Sequence, residues 1–138
     1  MTHASQPEEI ADHACPCGTG NAYAVCCGPL HAGAAAPTAE RLMRSRYTAF
    51  ARGDAAYLLR SWDATTRPAE LELDPELRWL RLVIEDTQAG GLGDTEGWVT
   101  FTAVARGSEG RLAQRERSYF TRTAGEPWRY VDGVALPV

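Results

Sequence analysis

The four cysteines of this 138-residue chain all lie between Cys15 and Cys27, and the rest of the sequence contains none. They form a Cys-x-Cys pair and an adjacent Cys-Cys pair, which are joined by a short loop containing Gly18 and Gly20. Glycine can adopt the left-handed conformations that a tight turn around a metal requires, and four thiolates so arranged can close around one tetrahedral ion. The spacing therefore predicts a zinc knuckle, with zinc preferred over iron or another divalent metal. Its predicted ligands are Cys15, Cys17, Cys26 and Cys27.

Other roles for the four thiols fit the sequence less well. Two disulfides would suit a secreted protein, but residues 1–9 lack the basic start and apolar run of a signal peptide. A bond between the neighbours Cys26 and Cys27 would also be strained. Redox thiols usually occur as Cys-x-x-Cys beside a βαβ unit, and neither is found here. Unrelated buried cysteines would seldom cluster so closely, so a metal site is the preferred interpretation.

The knuckle is expected to dock on the rest of the protein. Fixing the backbone costs about 1–2 kcal/mol per residue, so ordering the segment from Cys15 to Cys27 costs as much as, or more than, the roughly 10–16 kcal/mol that zinc binding supplies. Apolar contacts must therefore contribute. The side chains available for them are Tyr23, Val25, Pro29 and Leu30. We expect His31 to be a surface or docking residue rather than a fifth ligand, because structural zinc sites close with four.

The sequence divides into a polar tail over residues 1–14, the knuckle over 15–31, a Gly/Pro/Ala-rich connector over 32–37 and a body over 38–138, which is long enough for one core. The net charge is −4 with no basic cluster, which disfavours nucleic acid as the main partner. No apolar stretch approaches the roughly 20 residues of a membrane span. We therefore expect a soluble, cytoplasmic protein without membrane association, in a compartment where free thiols persist.

Reactive side chains are scarce in the body. The chain contains no lysine, and its three histidines, His3, His13 and His31, all precede residue 38. Acid–base chemistry would have to use Asp, Glu or Tyr. We therefore expect a protein that is not an enzyme, although a carboxylate-based hydrolase or isomerase stays open as an alternative.

Residues 38–62 predict two helices in a hairpin. Thr38 is a typical N-cap for a first helix over residues 39–52, and Gly53 ends it. Asp54 caps a second helix that runs to about residues 61–62.

From Trp79 onward the hydrophobic period changes from that of a helix to two residues. Residues 69–76, before this change, are ambiguous, because Leu71 and Leu73 alternate as a short strand would while Pro75 starts a turn or short helix. Four longer segments follow, separated by glycine-rich turns. Short turns favour antiparallel neighbours. The predicted architecture is α+β, with helices covering one face of a curved sheet. The four predicted strands span residues 79–88, 96–106, 111–122 and 128–134.

The knuckle resembles the SEC-C motif, a zinc-binding pattern of the form Cys-x-Cys-x-Ser-Gly-x5-Cys followed by Cys or His. This sequence matches it at all four cysteines and at Gly20, and has Thr19 where serine is usual. The hydroxyl is therefore kept.

From about Cys15 to its end, the chain resembles the YchJ-like family of uncharacterised bacterial proteins. The stretches that carry the resemblance are Cys-Pro-Cys-Gly at 15–18, Arg-Ser-Arg-Tyr-Thr-Ala-Phe at 44–50, Glu-Arg-Ser-Tyr-Phe at 116–120 and Trp-Arg-Tyr-Val-Asp-Gly at 128–133. The resemblance implies a SEC-C knuckle joined to a nuclear transport factor 2-like (cystatin-like) cone, in which helices pack against a curved antiparallel sheet. It implies no particular activity.

Such cones commonly leave a pocket between the helices and the concave sheet. Candidate lining residues are Tyr47, Trp62, Trp79, Arg117, Phe120 and Tyr130. Candidate acids are Asp63, Glu85, Glu116 and Asp132. Aromatic residues mostly serve packing, so a core role is preferred for them. An arginine in an apolar segment is seldom buried without a carboxylate or an anionic ligand, and we expect a structural ion pair for Arg46 and Arg117.

The sequence thus predicts a metal-binding accessory or binding protein whose knuckle is a structural or protein-interaction module. The simplest version, in which zinc only fastens the N-terminal segment, is slightly preferred. The SEC-C resemblance implies docking to a protein partner through the knuckle. Binding of a small molecule in the cone pocket and a homodimer through the exposed sheet face stay open.

Overall fold

The structure, a computed structural model, describes residues 14–138. The predicted polar tail lies outside the described residues except for Ala14, which forms an isolated antiparallel bridge with Ala22. A short 3-10 turn over Tyr23–Val25 leads into helix α1 over Cys27–His31. The remaining elements, in chain order, are α2 (Ala39–Arg52), α3 (Ala55–Arg60), β1 (Arg78–Ala89), β2 (Glu96–Gly107), β3 (Gly110–Thr121) and β4 (Arg129–Leu136).

Helix α2 has the bounds that its sequence predicts. The Thr38 hydroxyl accepts a hydrogen bond from the Arg41 amide at 3.1 Å, which satisfies one of the free donors of the first turn. Gly53 ends the helix in a left-handed conformation, with φ of 75°. One face of the helix, including Leu42, Met43 and Tyr47, is buried.

Helix α3 is shorter than predicted. Asp54 caps it as expected by accepting from the Tyr57 amide at 3.0 Å, but the helix ends at Arg60. The next residues leave the helix because they pair with β4: the Tyr130 amide donates to the Ser61 carbonyl at 2.9 Å. No strand forms at Leu71 and Leu73, a segment whose sequence is ambiguous between a short strand and a turn or short helix. Both side chains are half-buried and pack on a small cluster formed by Ala49, Tyr57 and Leu58.

The four strands form one antiparallel sheet in the order β1-β2-β3-β4, as predicted. Its two faces differ, because side chains alternate along each strand. Val99, Phe101 and Ala103 of β2 are buried on the inner face beneath α2. No helix within residues 14–138 has the length and apolar character needed to cross a membrane.

Candidate functional site

The four cysteine sulfurs converge on one point. Their Sγ atoms all lie within 4.8 Å of one another, the side chains are at most 3% exposed, and none forms a disulfide. With metal–sulfur bonds of about 2.3 Å, a tetrahedral zinc site separates its sulfurs by about 3.8 Å, and the Cys17 and Cys26 Sγ atoms are already 3.6 Å apart. The donor set and its spacing therefore fit a single metal ion.

Local backbone structure brings the two pairs together. The Cys15 amide donates to the Asn21 carbonyl at 2.7 Å, which closes the loop after the first pair. Gly18 and Gly20 both have φ of 89° in that loop, as their predicted role requires. The second pair follows the 3-10 turn, and Cys27 begins α1. Sequence reasoning missed α1, although Pro29 in its first turn is compatible with a helix because amides there need no helical partner.

Side chains of α2 contribute hydrogen-bond donors around the sulfurs. The Thr48 hydroxyl lies 3.3 Å from the Cys27 Sγ and 3.6 Å from the Cys15 Sγ. The Arg41 guanidinium lies 3.7 Å from the Cys26 Sγ through Nη1 and donates to the Cys26 carbonyl at 2.8 Å through Nη2. Donors of this kind stabilise metal-bound thiolates and orient them.

Hydrogen bonding within the cluster separates the acidities of its thiols. Bonds from Cys17 and Cys27 lower the pKa of Cys15 far below its ordinary value. The pKa of Cys27 is raised, first because its thiol bonds to Cys15 and Cys17, and also because it is buried. Without a metal, the thiolate form of Cys15 is thus favoured over its thiol form. Binding of a cation would favour the thiolate form of the other cysteines as well.

The knuckle is packed into the body of the protein. Its cysteines and Leu30 belong to the same buried cluster as Leu42 and Phe101. Arg44 fastens the first cysteine pair by donating to the Cys17 carbonyl at 2.7 Å. Of the predicted docking side chains, Leu30 is buried and Tyr23 is half-buried, but Pro29 is exposed and Val25 is 73% exposed.

His31 joins the knuckle to α2 rather than to the sulfurs. Its Nε2 lies 2.9 Å from the Ser45 carbonyl, so Nε2 carries the proton and donates. The other nitrogen, Nδ1, then accepts from the Tyr23 hydroxyl at 2.9 Å. The ring also packs against Tyr57, with 4.5 Å between centroids.

A cavity of about 210 Å³ lies between α2 and the inner face of the sheet. A smaller one of about 120 Å³ adjoins it. Met43, Phe50, Phe101 and Gln114 line both. The larger cavity is also lined by Arg46, Trp62, Glu116, Ser118 and Tyr130.

The six predicted pocket residues are distributed over four places, of which the outer sheet face holds Arg117. Trp62 and Tyr130 line the larger cavity, and Tyr47 and Trp79 line the smaller one. Phe120 is fully buried in the core, 5.7 Å from the Tyr130 ring between centroids.

Arg117 lies on the outer face of the sheet, contrary to prediction. There it donates to the Gln88 side chain at 2.8 Å and lies against the Trp98 ring. The reason is the alternation of β3: Glu116 faces the cavity, so its neighbour must face outward. The ion pair expected for Arg117 is also absent among the described residues.

Glu116 is the candidate acid that lines the cavity. Its Oε2 accepts from the Ser118 hydroxyl at 2.7 Å and from the Tyr130 hydroxyl at 3.1 Å. Gly133 of β4 pairs with Ser118, and a Cβ at this position would overlap the Glu116 carboxylate. Burial and Glu116 both raise the pKa of Tyr130, so this phenol stays protonated and donates.

The other three candidate acids lie away from the cavity. Glu85 forms an ion pair with Arg115 at 2.9 Å on the outer face. Asp63 accepts from the Thr65 amide at 3.0 Å, and Asp132 is exposed.

Arg46 has no carboxylate partner among the described residues, so the expected ion pair is absent. Its guanidinium donates through Nη1 to the Leu58 carbonyl and to the Ser61 hydroxyl, both at 2.7 Å. It lies against two aromatic rings, with Cζ 5.0 Å from the centroid of Trp62 and 4.4 Å from that of Tyr130. Burial lowers the pKa of Arg46 to about 10, so the side chain is still a cation at neutral pH.

Comparison with known proteins gives two family matches. A sequence model described as "YchJ, middle NTF2-like domain" matches residues 38–133. A second, for the SEC-C motif, matches residues 14–29.

Relatives and solved structures agree with these matches. A UPF0225 protein of Streptomyces coelicolor is 55% identical over 88% of this chain and 95% of its own length. The solution structure of a SEC-C motif containing protein from Rhodopseudomonas palustris has a TM-score of 0.74 at 32% identity, covering 89% of this chain and 98% of that one. A crystal structure of a SEC-C motif containing protein from Psychrobacter arcticus has a TM-score of 0.73 at 25% identity, covering 93% and 85%. The chain therefore belongs to the UPF0225 family and carries a SEC-C motif ahead of a YchJ-type, nuclear transport factor 2-like domain.

Proposed function

We propose that the four cysteines bind one zinc ion and that this zinc is structural, fastening the knuckle to α2 and completing the core of the body. The observation that carries the proposal is the convergence of four buried sulfurs within 4.8 Å of one another. Four protein ligands fill a tetrahedral site and leave no position for a substrate. The site therefore contributes stability rather than catalysis.

The choice of zinc rests on the ligands and on their spacing. Thiolates are soft ligands that suit zinc or iron–sulfur clusters. A cluster of several iron atoms would hold its cysteine sulfurs farther apart than this compact group allows. A single ion fits better, and zinc supports a closed structural site without redox chemistry.

A role of the knuckle in protein interaction receives less support from the geometry. Its sulfurs and Leu30 face the body, and Val25 is its exposed large apolar side chain within the described residues. A Val25→Ser variant that keeps its zinc but loses a protein partner would favour the interaction role.

Metal analysis of the protein purified without added metal tests the structural proposal. We expect one zinc per chain. A Cys26→Ser variant should contain less zinc and unfold at a lower temperature. Val25→Ser, a polar change at an exposed position of the same segment, is the matched control and should keep both. A zinc-free wild-type protein with the same unfolding temperature would refute the proposal.

As a second function we propose that the body binds a small molecule in the cavity beneath α2. The observation favouring it concerns two residues of the cavity wall: Trp62 has a buried Nε1–H without an acceptor, and Arg46 is a buried cation without a carboxylate partner among the described residues. An unpartnered buried donor and an unpaired buried charge are both costly, and a ligand acceptor would reduce that cost. Any acid–base chemistry in this cavity would have to use Glu116 or Tyr130.

Indole NMR signals of the tryptophans provide a test of this second function. Trp62 is identified by its loss in Trp62→Phe. Fragments that shift the Trp62 signal but leave Trp98, which lies on the outer face, unchanged would support binding in the cavity. A diverse fragment set that moves neither signal would contradict it.

A further inference from the structure

We propose that the ligand of the cavity beneath α2 is a small organic carboxylate whose acid group binds Arg46 and whose opposite end donates a hydrogen bond to Glu116. This inference rests on the second proposed function and assigns the chemistry of its ligand. It follows from the presence of one cation, Arg46, and one anion, Glu116, which line the same cavity without forming an ion pair.

The cationic end of the proposed ligand site is one edge of the Arg46 guanidinium. Its Nη1 has two N–H groups, and both are used by the Leu58 carbonyl and the Ser61 hydroxyl. The Nε–H and the Nη2 hydrogens find no acceptor within residues 14–138. These two nitrogens form an edge that matches a carboxylate in bidentate geometry. The Trp62 Nε1–H is a further unused donor on a residue of the same wall.

The anionic end is held away from this cation. Tyr130 has its ring against the Arg46 guanidinium, while its hydroxyl donates to Glu116. The Ser118 hydroxyl donates to the same carboxylate oxygen. Gly133 has no side chain and so leaves the space that the Glu116 carboxylate occupies. The second oxygen, Oε1, has no hydrogen-bond donor among the described side chains. Two opposite charges that line one cavity without meeting favour a ligand that bridges them.

Size and charge restrict the ligand further. The cavity of about 210 Å³ equals roughly seven water molecules at about 30 Å³ each, which suits a single ring with two substituents. Met43, Phe50 and Phe101 give it apolar walls. Arg46 is the one cation among its described lining residues, so it can pair with a single acid group, whereas the second charge of a dianion such as a phosphate ester would find no cation and would be repelled by Glu116.

The experiment compares matched probes on the wild-type protein with zinc bound. The probes are 4-hydroxybenzoate, which has both ends, its neutral amide 4-hydroxybenzamide, and benzoate, which lacks the donor. We expect 4-hydroxybenzoate to shift the Trp62 indole signal and to bind about ten- to hundredfold more tightly than the amide. Benzoate should bind more weakly than 4-hydroxybenzoate.

Two variants locate the acid group. Arg46→Lys keeps the charge but loses the planar fork, so the preference for the carboxylate over the amide should shrink. Arg117→Lys, the same change on the outer face, should leave it intact. Because the probe comparison uses the wild-type chain, a poorly folding Arg46 variant does not prevent the test.

The possible results distinguish a failure of this inference from a failure of the second proposed function, the binding of a small molecule in the cavity. Equal affinity for the carboxylate and the amide would overturn the anionic assignment while binding in the cavity still holds. Equal affinity for benzoate and 4-hydroxybenzoate would overturn the role of Glu116. If none of the probes moves the Trp62 signal, the carboxylate assignment is overturned, and the fragment experiment decides separately whether the cavity binds anything.

Discussion

Replacing Thr48 by valine should weaken zinc binding more than it weakens the fold. The side chain is fully buried, and its hydroxyl lies 3.3 Å from the Cys27 Sγ. Valine has nearly the same shape, so the change removes a hydrogen bond without opening a cavity. The size of the effect then depends on whether the acceptor is a neutral thiol or a metal-bound thiolate.

A hydrogen bond between neutral groups contributes about 0.5–1.5 kcal/mol, and one to a charged group about 1.5–3 kcal/mol. The sulfurs carry full negative charge when a metal has replaced their protons. The variant should therefore lose about 1–1.5 kcal/mol more in the zinc-bound than in the zinc-free protein, which corresponds to a zinc dissociation constant about five- to tenfold higher.

Competition with a chromophoric chelator under reducing conditions measures that constant. Thr48→Ser, which keeps the hydroxyl and loses a methyl group, should bind zinc like the wild type while unfolding about 0.8 kcal/mol more easily. Thr100→Val, the same change on the outer sheet face, is the matched control. The reasoning is refuted if Thr48→Val is folded and binds zinc as tightly as Thr100→Val.

Three further changes test other contacts. Gly133→Ala should destabilise the protein by about 3–6 kcal/mol in urea unfolding, because Glu116 must give up two hydrogen bonds to its carboxylate; the loss should be smaller in a Glu116→Ala background, and equal losses would contradict the clash. His31→Phe should cost about 1–3 kcal/mol and speed proteolysis between residues 30 and 37, since both its hydrogen bonds disappear; unchanged proteolysis would show that the knuckle is held by other contacts. Burial raises the pKa of Tyr47 to about 12, so the stability that its neutral form provides is complete below about pH 10 and is lost as the pH rises towards 12. The Tyr47→Phe variant should show a flatter decline of stability with pH. An equally steep decline in the variant would contradict the role given to Tyr47.

The parts of the fold that depend on local signals could be predicted from the sequence. The bounds of α2 follow from Thr38 and Gly53, which act within one turn of the helix ends. The convergence of the four cysteines could be predicted from their spacing alone. The hydroxyl of Thr48 and the guanidinium of Arg41 could not be assigned, because contacts between distant segments bring them to the sulfurs.

The cavity was harder to predict because its composition depends on strand register. The alternation of β3 was visible in the sequence, and it alone would have separated Glu116 from Arg117. The isolation of Arg46 from Glu116 was not visible, since it depends on where the Tyr130 ring lies after β4 has paired with the residues following α3.

The burial of the cysteines against α2 has a consequence for biosynthesis. Translation delivers the thiols first and the residues of α2 only afterwards. Until that helix has emerged and folded, Thr48 and Arg41 cannot reach the sulfurs, and the nascent knuckle exposes four oxidisable groups. Stable binding of the proposed zinc is therefore tied to folding of the downstream chain, and a nascent chain stalled after the sulfurs have left the ribosome but before α2 has folded would present them in an unprotected form.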